Sequence, residues 1–167
     1  MPTKRREPGA STLQRGVPVI ENWQRAVRMD LAPLKRFLLR VNRELGLTAD
    51  AAFVRFVTDR EMARLNQTFR KKPKTTDVLS FPPEPRSRPA RLRRRANSLR
   101  GAFLGDIAIS PVVARRNAKT FGRTMTEEIC VLMLHGVLHL LGYDHETDRG
   151  EMERVEAKLR RRLRLAR

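Results

Sequence analysis

His135-Gly-Val-Leu-His139-Leu-Leu-Gly142-Tyr-Asp-His145 holds all three histidines of this 167-residue chain. The first two lie four residues apart, a spacing that puts two side chains on one face of an α-helix, about one turn from each other. Gly142 follows them, and glycine readily takes the left-handed conformation that ends a helix. Because the chain can then turn back, we expect the third imidazole to approach the other two.

The residues before these histidines predict the start of the helix and its burial. Thr124 and Glu127 have the spacing of a capping box, in which two side chains satisfy free N–H groups at a helix start. Apart from the histidines, residues 129–141 leave no polar face, and a helix that is apolar all round is buried. Cys130 is the single cysteine, so we expect a small core residue without an intrachain disulfide, in keeping with a reducing cytoplasm.

Two imidazoles on one helical face favour a metal site. Neutral histidine is a common zinc ligand, and catalytic zinc usually has three protein ligands and one open position. The alternative is ordinary core histidines satisfied by hydrogen bonds, although unpaired imidazoles on an apolar helix would be costly to bury. We therefore predict one Zn²⁺ held by His135, His139 and His145. Nickel, copper and iron also accept three imidazoles.

The position after the first histidine separates two kinds of metal enzyme. The same histidine skeleton occurs in the metzincin zinc peptidases, which carry Glu at that position. That Glu is the general base of peptide hydrolysis. Here the position is Gly136, which cannot move a proton. The pattern argues for a hydrolytic metal site and leaves a metal-dependent peptidase as a disfavoured alternative.

Charge points to the kind of partner. The net charge is +18 and the isoelectric point is near 11.6, which favours RNA, DNA or an acidic membrane surface as a partner over a merely solvated basic surface. The longest apolar stretch, residues 129–142, is too short to span a bilayer. No apolar run of signal length follows the basic residues 4–6. We expect a cytoplasmic protein without stable membrane association.

The order of the expected strands and helices predicts an α+β fold. It would have a small, mostly four-stranded mixed sheet with packed helices and a zincin-like central helix that carries the metal ligands. Residues 1–16 are predicted to be a disordered basic extension, and residues 17–167 a single domain. Within it, residues 83–101 are rich in arginine and proline and are predicted to form a mobile loop. That loop either follows a phosphate backbone or is simply solvated.

Strands and helix starts follow from local signals along the chain. Strands are predicted at 17–20, 52–57, 77–81 and 103–109, and helix N-caps at Asp30, Thr58, Ser110, Thr124 and Asp148. In the second helix, Met62, Leu65 and Phe69 are predicted to form a buried stripe. In the last helix the leucines are predicted to pack on the core, although its basic tail could instead lie on RNA or a membrane surface.

Three segments of the chain resemble the YbeY family, bacterial rRNA maturation factors regarded as zinc-dependent endoribonucleases. The first is the histidine stretch. The second, Asn66-Gln-Thr-Phe-Arg70-Lys-Lys-Pro-Lys-Thr-Thr-Asp77-Val-Leu-Ser80-Phe-Pro82, resembles the family's Asn-x-x-x-Arg…Thr-Asp-Val-Leu-Ser-Phe-Pro segment. The third, Leu104-Gly-Asp-Ile-Ala-Ile-Ser110, resembles its Leu-Gly-Asp-Ile strand. They occur in the family's order and cover the chain from about residue 50 to 155.

The resemblance implies a single-strand-specific, metal-dependent endoribonuclease that acts in 16S rRNA 3′ end maturation and ribosome quality control. The implied partners are single-stranded ribosomal RNA, the small ribosomal subunit and its assembly factors. A ribosome-assembly factor with a structural zinc and no catalysis remains the alternative; a fourth protein ligand would favour it. The family is usually much less basic than this chain across residues 83–101.

One arginine and three carboxylates complete the expected site. Arg70 matches the family's arginine beside the metal, although taken alone it would be a surface residue. Its planar guanidinium suits a phosphate, and it could offset charge that develops in the transition state. The proton carrier is not fixed by the sequence. Asp144, Glu146 and Asp106 are candidates, and each could instead be a turn former, a surface charge or the partner of a ligand histidine.

Overall fold

Four strands and five helices run through residues 17–83 and 102–165, the part of the chain that the computed structural model describes. In chain order they are β1 (Val19–Asn22), α1 (Leu31–Glu44), β2 (Ala52–Phe56), α2 (Asp59–Arg70), β3 (Val78–Phe81), β4 (Gly105–Ile109), α3 (Pro111–Thr120), α4 (Met125–Leu140) and α5 (Glu151–Leu163). The predicted extension 1–16 and residues 84–101 of the predicted loop lie outside the described residues.

The sheet is mixed and has the order β1-β2-β4-β3. β1 and β2 are parallel, as are β2 and β4, whereas β3 runs antiparallel to β4. β1 lies at one edge, directly after Pro18, in the position where proline is tolerated because its missing N–H is not needed. The predicted α+β fold with a four-stranded mixed sheet is therefore confirmed.

Helix α4 is the centre of the core, as its apolar sequence predicts. It packs on the face of the sheet that carries Val54 and Ile107, and its own side chains Met133, Leu134 and Leu138 are fully buried. Its start is the predicted capping box: the Thr124 N–H donates to Glu127 Oε2 at 2.8 Å, and the Glu127 N–H donates to Thr124 Oγ1 at 3.2 Å. Cys130, a residue of this helix, is also buried, and burial raises the pKa of its thiol to about 12.

The other helix starts also follow local chemistry. Asp30, Thr58 and Ser110 each accept a backbone N–H in the first turn of their helix. α5 has Gly150 at its N-cap position, yet Asp148 still caps the helix because its carboxylate accepts the N–H groups of residues 150, 151 and 152. The apolar stripe of α5 is buried on the core, as predicted. Across the described ranges, no helix has both the length and the apolarity needed to cross a membrane.

One predicted stripe is wrong in part. In α2, Met62 is fully buried and Leu65 is half-buried, but Phe69 is 62% exposed. The cause is the extent of the small core beneath this helix, which includes Leu79 and ends with Leu65 and Phe81. The last turn of α2 extends beyond this core, and the Phe69 ring contacts the ring of Phe81 at a centroid distance of 4.8 Å.

Candidate metal centre and cleft

The structure brings the three histidines together at the end of the central helix. His135 and His139 lie on the last turns of α4, and His145 follows after the helix has ended. The ending is a Schellman motif: Gly142, at φ 91°, donates to the carbonyl of residue 139, and Tyr143 donates to the carbonyl of residue 138. Because of this turn, one ligand nitrogen from each histidine lies within 4.8 Å of the others.

These nitrogens fit a metal ion. The Nε2 atoms of His135 and His139 are 3.1 Å apart, and tetrahedral zinc with Zn–N bonds of about 2.0–2.1 Å places ligand nitrogens about 3.3 Å apart. Burial lowers the pKa of His139, and the neighbouring imidazoles of His135 and His145 lower it further. A lowered pKa favours neutral imidazole, which is the form that binds metal.

His135 is oriented by Glu156, a residue that the sequence interpretation missed. The Nδ1 of His135 lies 2.9 Å from Glu156 Oε2, and Arg160 donates to the other carboxylate oxygen at 2.7 Å. The imidazole is thereby turned so that its Nε2 faces His139. A carboxylate on the far nitrogen is the usual way to fix the tautomer and orientation of a metal-binding histidine. Burial would raise the pKa of Glu156, but the hydrogen bond from His135 and the charge of Arg160 outweigh it, so the pKa is lowered.

A signal for Glu156 was present in the sequence. It lies four residues after Met152 and three before Leu159, so it interrupts the apolar stripe that α5 buries on the core. An acidic side chain in a buried stripe needs a partner. The spacing alone could not show which one, because His135 is 21 residues away along the chain.

Arg70 lies in the same open cleft as the histidines, which has a volume of about 950 Å³. Its guanidinium donates to Glu146 Oε1 at 3.2 Å, and both side chains are substantially exposed, at 44% and 60%. An exposed ion pair of this kind is weak, worth about 0–1 kcal/mol. A phosphate entering the cleft can therefore displace Glu146 from Arg70 at little cost.

The three candidate carboxylates occupy different environments. Asp144 lines the cleft, but its oxygens accept the Glu146 N–H and the Thr147 hydroxyl, each at 3.0 Å, so it holds the turn. Glu146 lines the cleft and pairs with Arg70. Asp106 is not among the residues lining the cleft. Its neighbour in β4, Ile107, faces α4, and alternate residues of a strand point to opposite faces, so Asp106 lies on the other face of the sheet.

Close packing around Gly136 explains why this position does not carry the glutamate that serves as general base in the peptidases. A Cβ atom at this position would lie 2.8 Å from Cγ2 of Ile107, closer than van der Waals contact allows. The hydroxyl of Ser80 also donates to the Gly136 carbonyl at 3.2 Å. α4 and the sheet approach so closely here that the structure has no room for a glutamate.

Fold and site together define an α+β protein with a mixed four-stranded sheet and a cluster of three histidines, able to hold a metal ion, at the end of its central helix. A family model described as "Endoribonuclease YbeY" matches residues 20–164. The chain belongs to the YbeY family.

Individual relatives agree with this assignment. An "Endoribonuclease YbeY" from Solibacter usitatus is 46% identical over 132 residues, which cover 78% of this chain and 77% of the relative. A protein of the same description from Koribacter versatilis is 40% identical over 132 residues, covering 79% and 76%. The solution structure of a Thermotoga maritima protein aligns with a TM-score of 0.55 and 28% identity over 87% of each chain.

Proposed function

We propose that this chain is a zinc-dependent endoribonuclease that cleaves single-stranded RNA and acts in 16S rRNA 3′ end maturation and ribosome quality control. The observation that carries the proposal is the shared cleft. Three convergent imidazoles line the same surface as the guanidinium of Arg70, whose ion pair with Glu146 is weak. The endoribonuclease names of the family model and of the relatives support the reaction class.

Each residue of the site has a separate role in the proposed reaction. His135, His139 and His145 would hold the ion, and Glu156 fixes the ring of His135. A zinc ion bound there would supply Lewis acidity, able to polarise a phosphoryl oxygen or to lower the pKa of a water to about 7. Arg70 binds the scissile phosphate with a planar pair of N–H donors and offsets the negative charge that develops on it. Before a phosphate binds, Arg70 forms its weak ion pair with Glu146 in the cleft.

Two observations favour this enzyme over the alternatives. Within residues 17–83 and 102–165, the three histidines form a cluster without a fourth histidine, cysteine or carboxylate ligand, which leaves a coordination position for catalysis and weighs against a purely structural zinc. The contact of Gly136 with Ile107 excludes the peptidase base. The net charge of +18 supports ribosomal RNA as a polyanionic partner. The small ribosomal subunit, its assembly factors and a cytoplasmic location are proposed from membership of the YbeY family.

The test uses one RNA in two forms. The protein is stripped with a chelator, reloaded with zinc and incubated with an end-labelled 16S 3′ fragment, either single-stranded or annealed to its complement. We expect zinc-dependent internal cleavage of the single strand and little cleavage of the duplex. RNA binding without cleavage by the zinc-loaded protein would instead favour the assembly factor. Cleavage of a peptide but not of RNA would instead support the metal-dependent peptidase alternative.

We expect Glu156→Gln to weaken zinc binding about 10- to 100-fold, the usual cost of losing a carboxylate that orients a ligand histidine. The amide keeps the shape of the side chain but loses the charge that makes the imidazole a better ligand. Zinc affinity is measured by competition with a chromophoric chelator. The control is Glu153→Gln, an exposed acidic residue of the same helix. Equal zinc affinity in the two variants would show that Glu156 has no role in holding the metal.

A further inference from the structure

Phe69 is an exposed aromatic residue within the cleft. It is 62% exposed, although the helical pattern of α2 places it on the stripe that begins with Met62. Single exposed apolar residues are common on protein surfaces and need no explanation by themselves. Phe69 differs because it lines the same cleft as the histidines, next to Arg70 in the chain.

The ring of Phe69 is held in place but not covered. It meets the ring of Phe81 at a centroid distance of 4.8 Å and an interplanar angle of 64°, which is an edge contact. Phe81 is itself half-buried, in the small core between α2 and the sheet. Because this contact already restricts the Phe69 ring, little side-chain entropy is lost when a ligand binds to it. Most of the side chain remains exposed to solvent.

Basic residues follow Phe69 along the chain. Arg70 follows it directly, and Lys71, Lys72 and Lys74 come next, all exposed. Lys71 takes a left-handed conformation, φ 58°, and ends α2, so the basic segment turns directly after Arg70, which lines the cleft. An aromatic face beside a row of cations is the combination that binds single-stranded nucleic acid, because bases stack on the ring while the cations follow the phosphates.

We propose that Phe69, supported by Phe81, is a stacking subsite for one unpaired base of the RNA next to the phosphate held by Arg70. The proposal rests on the proposed function, since it places a substrate base beside the site of cleavage. It also supplies a reason for single-strand preference. A base in a duplex is stacked on its neighbours, whereas an unpaired base can turn out and stack on an aromatic side chain.

The test measures binding separately from cleavage. The full chain, stripped of metal so that RNA stays intact, is titrated with a single-stranded RNA containing the fluorescent base 2-aminopurine, at moderate salt to weaken non-specific phosphate contacts. We expect Phe69→Leu to weaken binding roughly tenfold, within the range for loss of one base–aromatic stack, and to lose the quenching of the fluorescent base. Phe69→Tyr keeps the aromatic face and is expected to bind and quench like the parent.

The matched control is Phe121→Leu, because Phe121 is 58% exposed and lies beside a cation, Arg123, but does not line the cleft. It is expected to leave binding unchanged. With an RNA that lacks the stacked base, Phe69→Leu is expected to have no effect.

Two failures of this test have different meanings. If Phe69→Leu binds and quenches like the parent, the stacking subsite is wrong and the endoribonuclease proposal is untouched. If the parent, reloaded with zinc, neither binds nor cleaves single-stranded RNA, the proposed function fails, and the subsite fails with it. Thermal unfolding of each sample separates either result from a folding defect, and normal binding by Phe69→Tyr with weak binding by Phe69→Leu supports the subsite.

Discussion

His139→Ala is expected to reduce RNA cleavage by the zinc-loaded protein at least about 10³-fold, more than the 10–100-fold that loss of a residue orienting a ligand costs. The reason is that Nε2 of His139 faces Nε2 of His135 at 3.1 Å, so the variant loses one of the three nitrogens that converge at the end of α4. Cleavage rate and bound zinc are measured on the same preparation, and both are expected to fall together.

The control for this variant comes from the same helix. Thr126→Ala changes an exposed residue of α4 and is expected to keep both zinc and activity. Two results would contradict the prediction. If His139→Ala cleaves at the parent rate, the activity belongs to another site or to a contaminating nuclease. If neither protein cleaves while both bind RNA, the assembly-factor alternative takes the place of the enzyme.

Much of the metal site can be predicted from local sequence, because each sequence signal that forms it spans only a few residues. The capping box at Thr124 acts over three residues, the spacing of His135 and His139 covers one helical turn, and Gly142 reverses the chain through its own φ. Each of these signals is complete within a few residues. The start, end and ligand face of α4 could therefore be predicted without knowledge of the remaining chain.

Two features of the cleft depend on packing between distant segments and could not be obtained this way. The sequence suggests Asp144, Glu146 and Asp106 as proton carriers or, alternatively, as a turn former, a surface charge or the partner of a ligand histidine. The carboxylate beside His135 is that of Glu156 on α5, because that helix packs against α4. Periodicity likewise placed Phe69 on a buried face of α2. It carries no information on where the core beneath that face ends.

Arg70→Ala is expected to lower the catalytic rate about 10²- to 10³-fold, the usual cost of removing one donor that stabilises charge in a transition state. Its zinc content and unfolding temperature are expected to stay at the parent values, because the side chain is 44% exposed and its one described ion pair, with Glu146, lies at the surface. Arg70→Lys is expected to recover only part of the rate, since an ammonium is a point charge without the planar fork of donors.

α2 offers a matched control for Arg70. Arg64 lies on the same helix, is 65% exposed and pairs with Glu61 at 2.7 Å, yet it is not among the residues that line the cleft. Arg64→Ala removes the same charge from the same helix, so it measures the loss of general attraction for RNA. If Arg70→Ala slows cleavage no more than Arg64→Ala does, Arg70 is not a phosphate clamp. A larger loss in Arg70→Ala, at unchanged zinc content, would assign the difference to the position of Arg70 beside the three histidines.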